Sequence, residues 1–203
     1  MKAKLSETTA IYWGAFNPPT LAHAQVVWEV LKNSHITHVI ISPSWEREDK
    51  QFWIQPMYRK KLIEMYVNIL QESWLNISLD TFFLEGKNHG LTTTAAEEEY
   101  FREKLWESPY FIFGSDVAQN MPDWSENENA FIERRLKKIF INRPWYEFDL
   151  EANGFDNYML LDIPNMLDIS SSMAREMIRN KQSVQGILHP EISQTILRET
   201  LYS

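Results

Sequence analysis

Short apolar blocks alternate along the chain with longer stretches in which apolar residues recur every three or four positions. The first block, Ala10-Ile11-Tyr12-Trp13, has the length of a buried strand and stops at Gly14 and the Asn17-Pro18-Pro19 turn. A helix is expected to start near Thr20, a suitable N-cap, because Ala24, Val27, Trp28 and Leu31 follow at helical spacing. His38 to Ser42 predicts a second strand, halted by Pro43. Residues 56 to 71 predict a helix through Leu62, Met65, Tyr66 and Ile69, and Ile77 to Phe83 predicts a strand. The alternation continues with a helix over Thr94 to Trp106, a strand at Tyr110 to Phe113 closed by Gly114, and a helix over Phe131 to Lys138. Strands at Ile139 to Ile141 and Tyr158 to Leu161 precede two helices between Ser171 and Leu201, the second opened by Pro190. Strands separated by helix-length segments predict an α/β protein with a doubly wound, mostly parallel sheet. We expect one domain over 1–203, with 171–203 as a small C-terminal helical part. Ligands in such a sheet bind beyond the carboxyl ends of the strands.

Composition narrows the chemistry. The 203 residues, 44% hydrophobic and 24% charged, suffice for one core of useful size. No apolar run approaches the roughly 18 residues of a membrane span, and Met1-Lys2-Ala3-Lys4-Leu5-Ser6 leads into polar residues, so the cytoplasm is the expected compartment. Cysteine is absent, which removes disulfides, thiolate metal sites and cysteine nucleophiles together. A net charge of −8 disfavours long nucleic acids and anionic membranes as partners. A small phosphate ligand needs only a few local donors and stays open, as does homo-oligomerisation.

The strand end Trp13-Gly14-Ala15-Phe16-Asn17-Pro18-Pro19 running into Thr20-Leu21-Ala22-His23 is the first constellation with chemical content. A glycine there lets backbone approach a ligand, and the helix start offers N–H groups and a positive dipole end to an anion. His23, in the first turn, can donate a hydrogen bond to a phosphate held at that mouth. A lone glycine and a lone histidine beside a turn are also ordinary structural residues. A second constellation, Asp168-Ile169-Ser170-Ser171-Ser172-Met173-Ala174-Arg175, places hydroxyls and an arginine at another helix start.

Together these segments resemble the nucleotidyltransferase signature Gly-x-Phe-(Asp/Asn)-Pro with (His/Thr)-x-Gly-His, matched by Gly14, Phe16, Asn17, Pro18, Thr20 and His23. Ile169, Ser170, Ser171 and Arg175 match the superfamily's Ile-Ser-Ser-Thr-x-(Ile)-Arg motif. Gly114-Ser115-Asp116-Val117, Trp124, Ile141-Asn142-Arg143-Pro144 and the run from Ser183 to Pro190 make the whole set similar to nicotinate and nicotinamide mononucleotide adenylyltransferases. The resemblance implies a Rossmann-like nucleotidyltransferase fold and a reaction joining a pyridine mononucleotide to ATP with release of pyrophosphate. That reaction is an in-line attack needing positioning and charge neutralisation, with no protein nucleophile.

On this resemblance His23, Arg175 and Thr20 are the catalytic candidates. His23 reaches the α-phosphate, N–H groups near Thr20 receive phosphate oxygens, and Arg175 grips the β- and γ-phosphates beside Ser170 and Ser171. Gly14, Phe16, Asn17, Gly114, Asp116 and Ile169 complete the ATP side; Asp116 suits a ribose or the N-cap of a following helix. Trp13, Ala15, Lys50, Thr92 and Trp124 form the mononucleotide side, with Trp124 stacking on the pyridine. Lys50 matches a phosphate-facing lysine, and in the loop Glu46-Arg47-Glu48-Asp49 it reads equally as a solvated charge. Arg59 matches an arginine expected to make a structural salt bridge. Mg²⁺ is expected as cofactor, held mainly by substrate phosphates, with no protein metal site. Trp13, Ala15, Ala22 and Leu91 replace a glycine, a Ser or Thr, a glycine and a tyrosine usual in the family. Rival readings are a phosphopantetheine adenylyltransferase-like or cytidylyltransferase enzyme, and a catalytically lapsed nucleotide-binding regulator.

Overall fold

A computed structural model describes residues 8–44, 54–86, 94–114, 117, 136–142, 155–163 and 165–203. Six strands form one sheet: β1 (Thr9–Gly14), β2 (His38–Pro43), β3 (Ile77–Leu79), β4 (Tyr110–Gly114), β5 (Lys137–Asn142) and β6 (Tyr158–Asp162). Their spatial order is β3-β2-β1-β4-β5-β6, and every pairing is parallel. The helices are α1 (Leu21–Asn33), α2 (Pro56–Glu72), α3 (Thr94–Leu105), α4 (Ser171–Arg179) and α5 (Pro190–Arg198).

Successive strand residues point to opposite faces, and the core divides accordingly. Ala10, Val39, Ile41, Ile77, Ile112, Ile139 and Ile141 face an aliphatic cluster closed by Val27 and Val30 of α1, Leu62 and Ile63 of α2, Ala174 of α4 and Ile192 and Ile196 of α5. The residues between them, Ile11, Ile40, Phe111, Phe113 and Phe140, face an aromatic cluster shared with Phe101 of α3. Helices thus cover both faces, as a parallel sheet with no solvated side requires. Strand order reverses between β1 and β4, so the crevice for a ligand opens at the ends of those two strands.

Three expectations need correction. The third strand stops at Leu79 instead of reaching Phe83, because Asp80 Oδ1 accepts the Phe82 N–H at 2.9 Å and the chain turns through Gly86. Lys137 and Lys138 belong to β5, not to a preceding helix; Lys138 is wholly buried and its ammonium donates to the Leu136 carbonyl at 3.0 Å. The helix expected to include Trp106 ends at Leu105, and Trp106 takes φ 63°. Among the described residues no helix is long and apolar enough to cross a membrane.

Candidate active site

The carboxyl end of β1 supplies the floor. Gly14 sits close under Phe16: a Cβ there would lie 3.3 Å from Phe16 Cε2, so the ring would have to give by a few tenths of an ångström. Phe16 is buried at φ 46°, a left-handed conformation disfavoured for a bulky residue, and its ring packs on Tyr12, His23 and Tyr66 at centroid distances of 5.3, 5.0 and 6.3 Å. The backbone around it is tied down. Ser44 N–H donates to the Gly14 carbonyl at 2.9 Å, and buried Arg59 of α2 donates to the carbonyls of Ala15 at 2.8 Å and Ser44 at 2.6 Å. Arg59 therefore supports the β1 turn through two carbonyl oxygens.

At the start of α1, Thr20 and His23 form a capping box. The Thr20 N–H donates to His23 Nδ1 at 3.0 Å, Thr20 Oγ1 lies 2.7 Å from the same nitrogen, and Oγ1 accepts the His23 N–H at 3.4 Å. A backbone N–H can only donate, so Nδ1 is the acceptor and Nε2 carries the ring proton of the neutral imidazole. The local fold thus selects the tautomer that makes His23 a donor at Nε2. Several N–H groups of the helix start have partners within the protein. Leu21 N–H goes to the Ile187 carbonyl at 2.9 Å, Ala24 N–H to the Thr20 carbonyl at 3.3 Å, and His23 N–H to Thr20. Thr20 is 1% exposed. Thr20 thereby holds His23 in place.

The opposite wall comes from α4. Ser170 is its N-cap, accepting the Met173 N–H at 3.1 Å, and Ser171 Oγ donates to the Pro18 carbonyl at 2.8 Å. Arg175 donates from Nη1 to the Asn17 carbonyl at 2.6 Å and from Nη2 to Ser172 Oγ at 2.9 Å. Two of five guanidinium protons are thereby engaged, orienting the fork. Arg175 Nε is buried and has no hydrogen-bond partner among the described residues. Burial pulls the arginine below its ordinary value, against an opposing influence of Tyr202 and with a smaller contribution from Arg179. Asn17, at the cis Asn17–Pro18 peptide, receives Tyr202 Oη–H on Oδ1, and its Nδ2 is buried with no partner among the described residues.

These elements enclose a cleft of about 340 Å³ lined by Tyr12, Ala15, Phe16, Ala22, His23, Val26, Met166, Ile169, Ser170, Ser171, Ser172 and Arg175. His23 and Arg175, 152 residues apart in sequence, thus face one space. A larger cavity of about 790 Å³ lies between α4 and α5 behind Leu188, Ile196 and Leu201; it takes in part of the Ser183 to Pro190 run, but its surface is mainly apolar and neither His23 nor Arg175 lines it. Size alone would favour it. The convergence of polar groups favours the smaller cleft.

Of the sequence candidates, Ala15, Phe16, His23, Ile169, Ser170, Ser171 and Arg175 line the cleft, while Gly14, Asn17 and Thr20 brace it from beneath. Gly114 ends β4, beside β1 at the strand-order reversal. Trp13 faces the other side of the sheet from Tyr12, in register with Ser42; Trp13 Nε1 and Ser42 Oγ are both buried without partners among the described residues. Lys50, Thr92, Asp116 and Trp124 lie outside the described residues. Tyr12, Ser172 and Tyr202 were not anticipated. For Tyr12 a signal existed, since period two in β1 places it on the His23 side. Tyr202 had none nearby. Among the described residues no three His, Asp or Glu side chains gather to hold a metal ion.

The sequence model of the cytidylyltransferase-like family matches residues 11–177, most of the chain and both walls of the cleft. The chain belongs to that family. Among cytidylyltransferase-like relatives, the probable nicotinate-nucleotide adenylyltransferase of Streptococcus mutans is 25% identical over 99% of this chain and 91% of its own length. That of Staphylococcus saprophyticus is 26% identical over 98% and 99%. The Plasmodium falciparum nicotinic acid mononucleotide adenylyltransferase complexed with NaAD superposes with a TM-score of 0.80 over 96% of each chain at 24% identity, a likeness of fold.

Proposed function

We propose that this nucleotidyltransferase joins nicotinate mononucleotide to ATP, giving the dinucleotide of the NAD pathway and pyrophosphate. The observation that carries the reading is the 340 Å³ cleft, in which a tautomer-fixed His23 faces a tethered Arg175 beside the strand-order reversal. Near-full-length similarity to relatives named nicotinate-nucleotide adenylyltransferases supports the choice of substrate.

A 5′-phosphate oxygen of the mononucleotide attacks the α-phosphorus of ATP, forming one P–O bond as the bond to the β-phosphate bridge oxygen breaks. Charge grows on the oxygens around the α-phosphorus and on the leaving pyrophosphate. His23 Nε2–H meets the first and the remaining Arg175 donors the second, with Ser170 and Ser171 at the start of α4 beside them. Thr20 acts by holding the imidazole. Mg²⁺, held mainly by the substrate phosphates, would supply neutralisation of the charge on the leaving pyrophosphate. Gly114 and Asp116 take the ribose side, and Lys50, Thr92 and Trp124 the mononucleotide. Trp13 and Ala15 shape the pyridine end.

The test is pyrophosphate release from Mg-ATP with nicotinate mononucleotide, nicotinamide mononucleotide and phosphopantetheine offered separately. We expect kcat/KM for the nicotinate form to equal or exceed that for the amide, with no turnover of phosphopantetheine. Turnover of phosphopantetheine alone would transfer the enzyme to the rival class. Nucleotide binding without any turnover would make it a regulator.

A further inference from the structure

The turn that follows α5 reaches back 185 residues to the β1 loop. Thr200 N–H donates to the Leu197 carbonyl at 3.2 Å and Leu201 N–H to the Ile196 carbonyl at 2.9 Å, the two bonds of a Schellman motif. That motif normally places glycine at the left-handed position. Here it is Thr200 at φ 52°, a β-branched residue where L side chains are disfavoured, and Tyr202 follows at φ 65°. Strain of this kind persists where surrounding structure over-determines it, and it clusters at working sites.

The strained turn delivers the Tyr202 ring, 5% exposed, to Asn17, where its hydroxyl donates to Oδ1. Neither Asn17 Oδ1 nor Nδ2 has another side-chain partner among the described residues, so this bond alone decides which end of the carboxamide faces which way. The same residue accepts Arg175 on its main-chain oxygen. Burial raises the phenol well above its ordinary value, although the neighbouring Arg175 and Arg59 charges oppose the shift, so it remains a donor throughout the working pH range.

We propose that Tyr202 is a positioning residue of the nucleotide site: its hydroxyl sets the Asn17 carboxamide and, through Asn17, the Arg175 fork on the triphosphate side of the cleft. The buried Asn17 Nδ2–H and Arg175 Nε–H, both without partners among the described residues, are the donors whose aim depends on it. The assignment to the triphosphate side rests on the reading proposed above.

A double-mutant cycle on the full chain tests this, using Tyr202→Phe, Asn17→Ala and the pair, with Mg-ATP affinity measured by calorimetry and pyrophosphate release measured in parallel. Tyr202→Phe keeps the ring and removes only the donor. It should raise the Mg-ATP dissociation constant about tenfold, the scale of one buried hydrogen bond, with KM for the mononucleotide within about twofold of wild type. In the Asn17→Ala background the same change should have no further effect. An equal tenfold loss in both backgrounds, or wild-type affinity in folded Tyr202→Phe, overturns the proposal. So does a loss that falls equally on both substrates, the mark of a merely structural role. A wild-type chain that binds Mg-ATP but releases no pyrophosphate removes the adenylyl-transfer reading while the affinity cycle still decides the role of Tyr202.

Discussion

At the scale of single residues, the site is governed by which atoms are already committed. His23 spends Nδ1 on the Thr20 backbone, which leaves Nε2–H as the ring donor on which its proposed role rests. His23→Ala should lower kcat by about 10²–10³ with the fold intact, the loss typical of one transition-state donor, and steady-state kinetics with circular dichroism check both halves. Near-normal turnover in the folded variant would exclude the role. Arg175 is similarly pre-committed, with Nη1 and Nη2 on Asn17 and Ser172. Lysine can restore the charge but neither tether, so Arg175→Lys should weaken Mg-ATP more than the mononucleotide in parallel KM measurements. Equal weakening of both would indicate damage to the fold instead.

Elements differ in how openly the chain announces them. The β1–α1 unit was legible because a four-residue apolar run, Gly14, the prolines and a capping threonine all point to one boundary. The end of β3 was not, since Phe82 and Phe83 extend the apolar run while the Asp80 side chain, bonding two residues ahead, breaks the strand. Lys137 and Lys138 misled for a related reason: adjacent lysines read as a solvated helix surface unless the burial supplied by strand pairing is known. Tyr202 was illegible because its meaning is a tertiary contact. The β2–β3 edge also yields a pH test. His38, 3.0 Å from Ser78 Oγ, is pushed below its ordinary 6.5 by burial, so the unfolded chain binds the proton more readily. Its contribution to stability is complete above about pH 6.5 and is lost as pH falls through the folded value. Thermal melts from pH 7.5 to 5 should show a smaller decline for His38→Gln than for wild type; identical declines would assign the loss to other groups.

For the molecule as a whole, a parallel sheet gathers the site at the one place where strand order reverses, and its two unlike cores hold that edge from opposite sides. The cleft is nevertheless closed by contacts very distant in sequence: Pro18 with Ser171, Asn17 with Arg175 and Asn17 with Tyr202, separated by 153, 158 and 185 residues. Loop closure over such spans costs entropy that nearby pairings avoid, and chains of this size commonly fold through populated intermediates. Competence should therefore arrive late. On dilution from denaturant, far-ultraviolet ellipticity is expected to recover before a fluorescent ATP analogue can bind, and simultaneous recovery would contradict the expectation. A molecule assembled in this order keeps its nucleotide pocket shut to business until the rest of the architecture has been proofread.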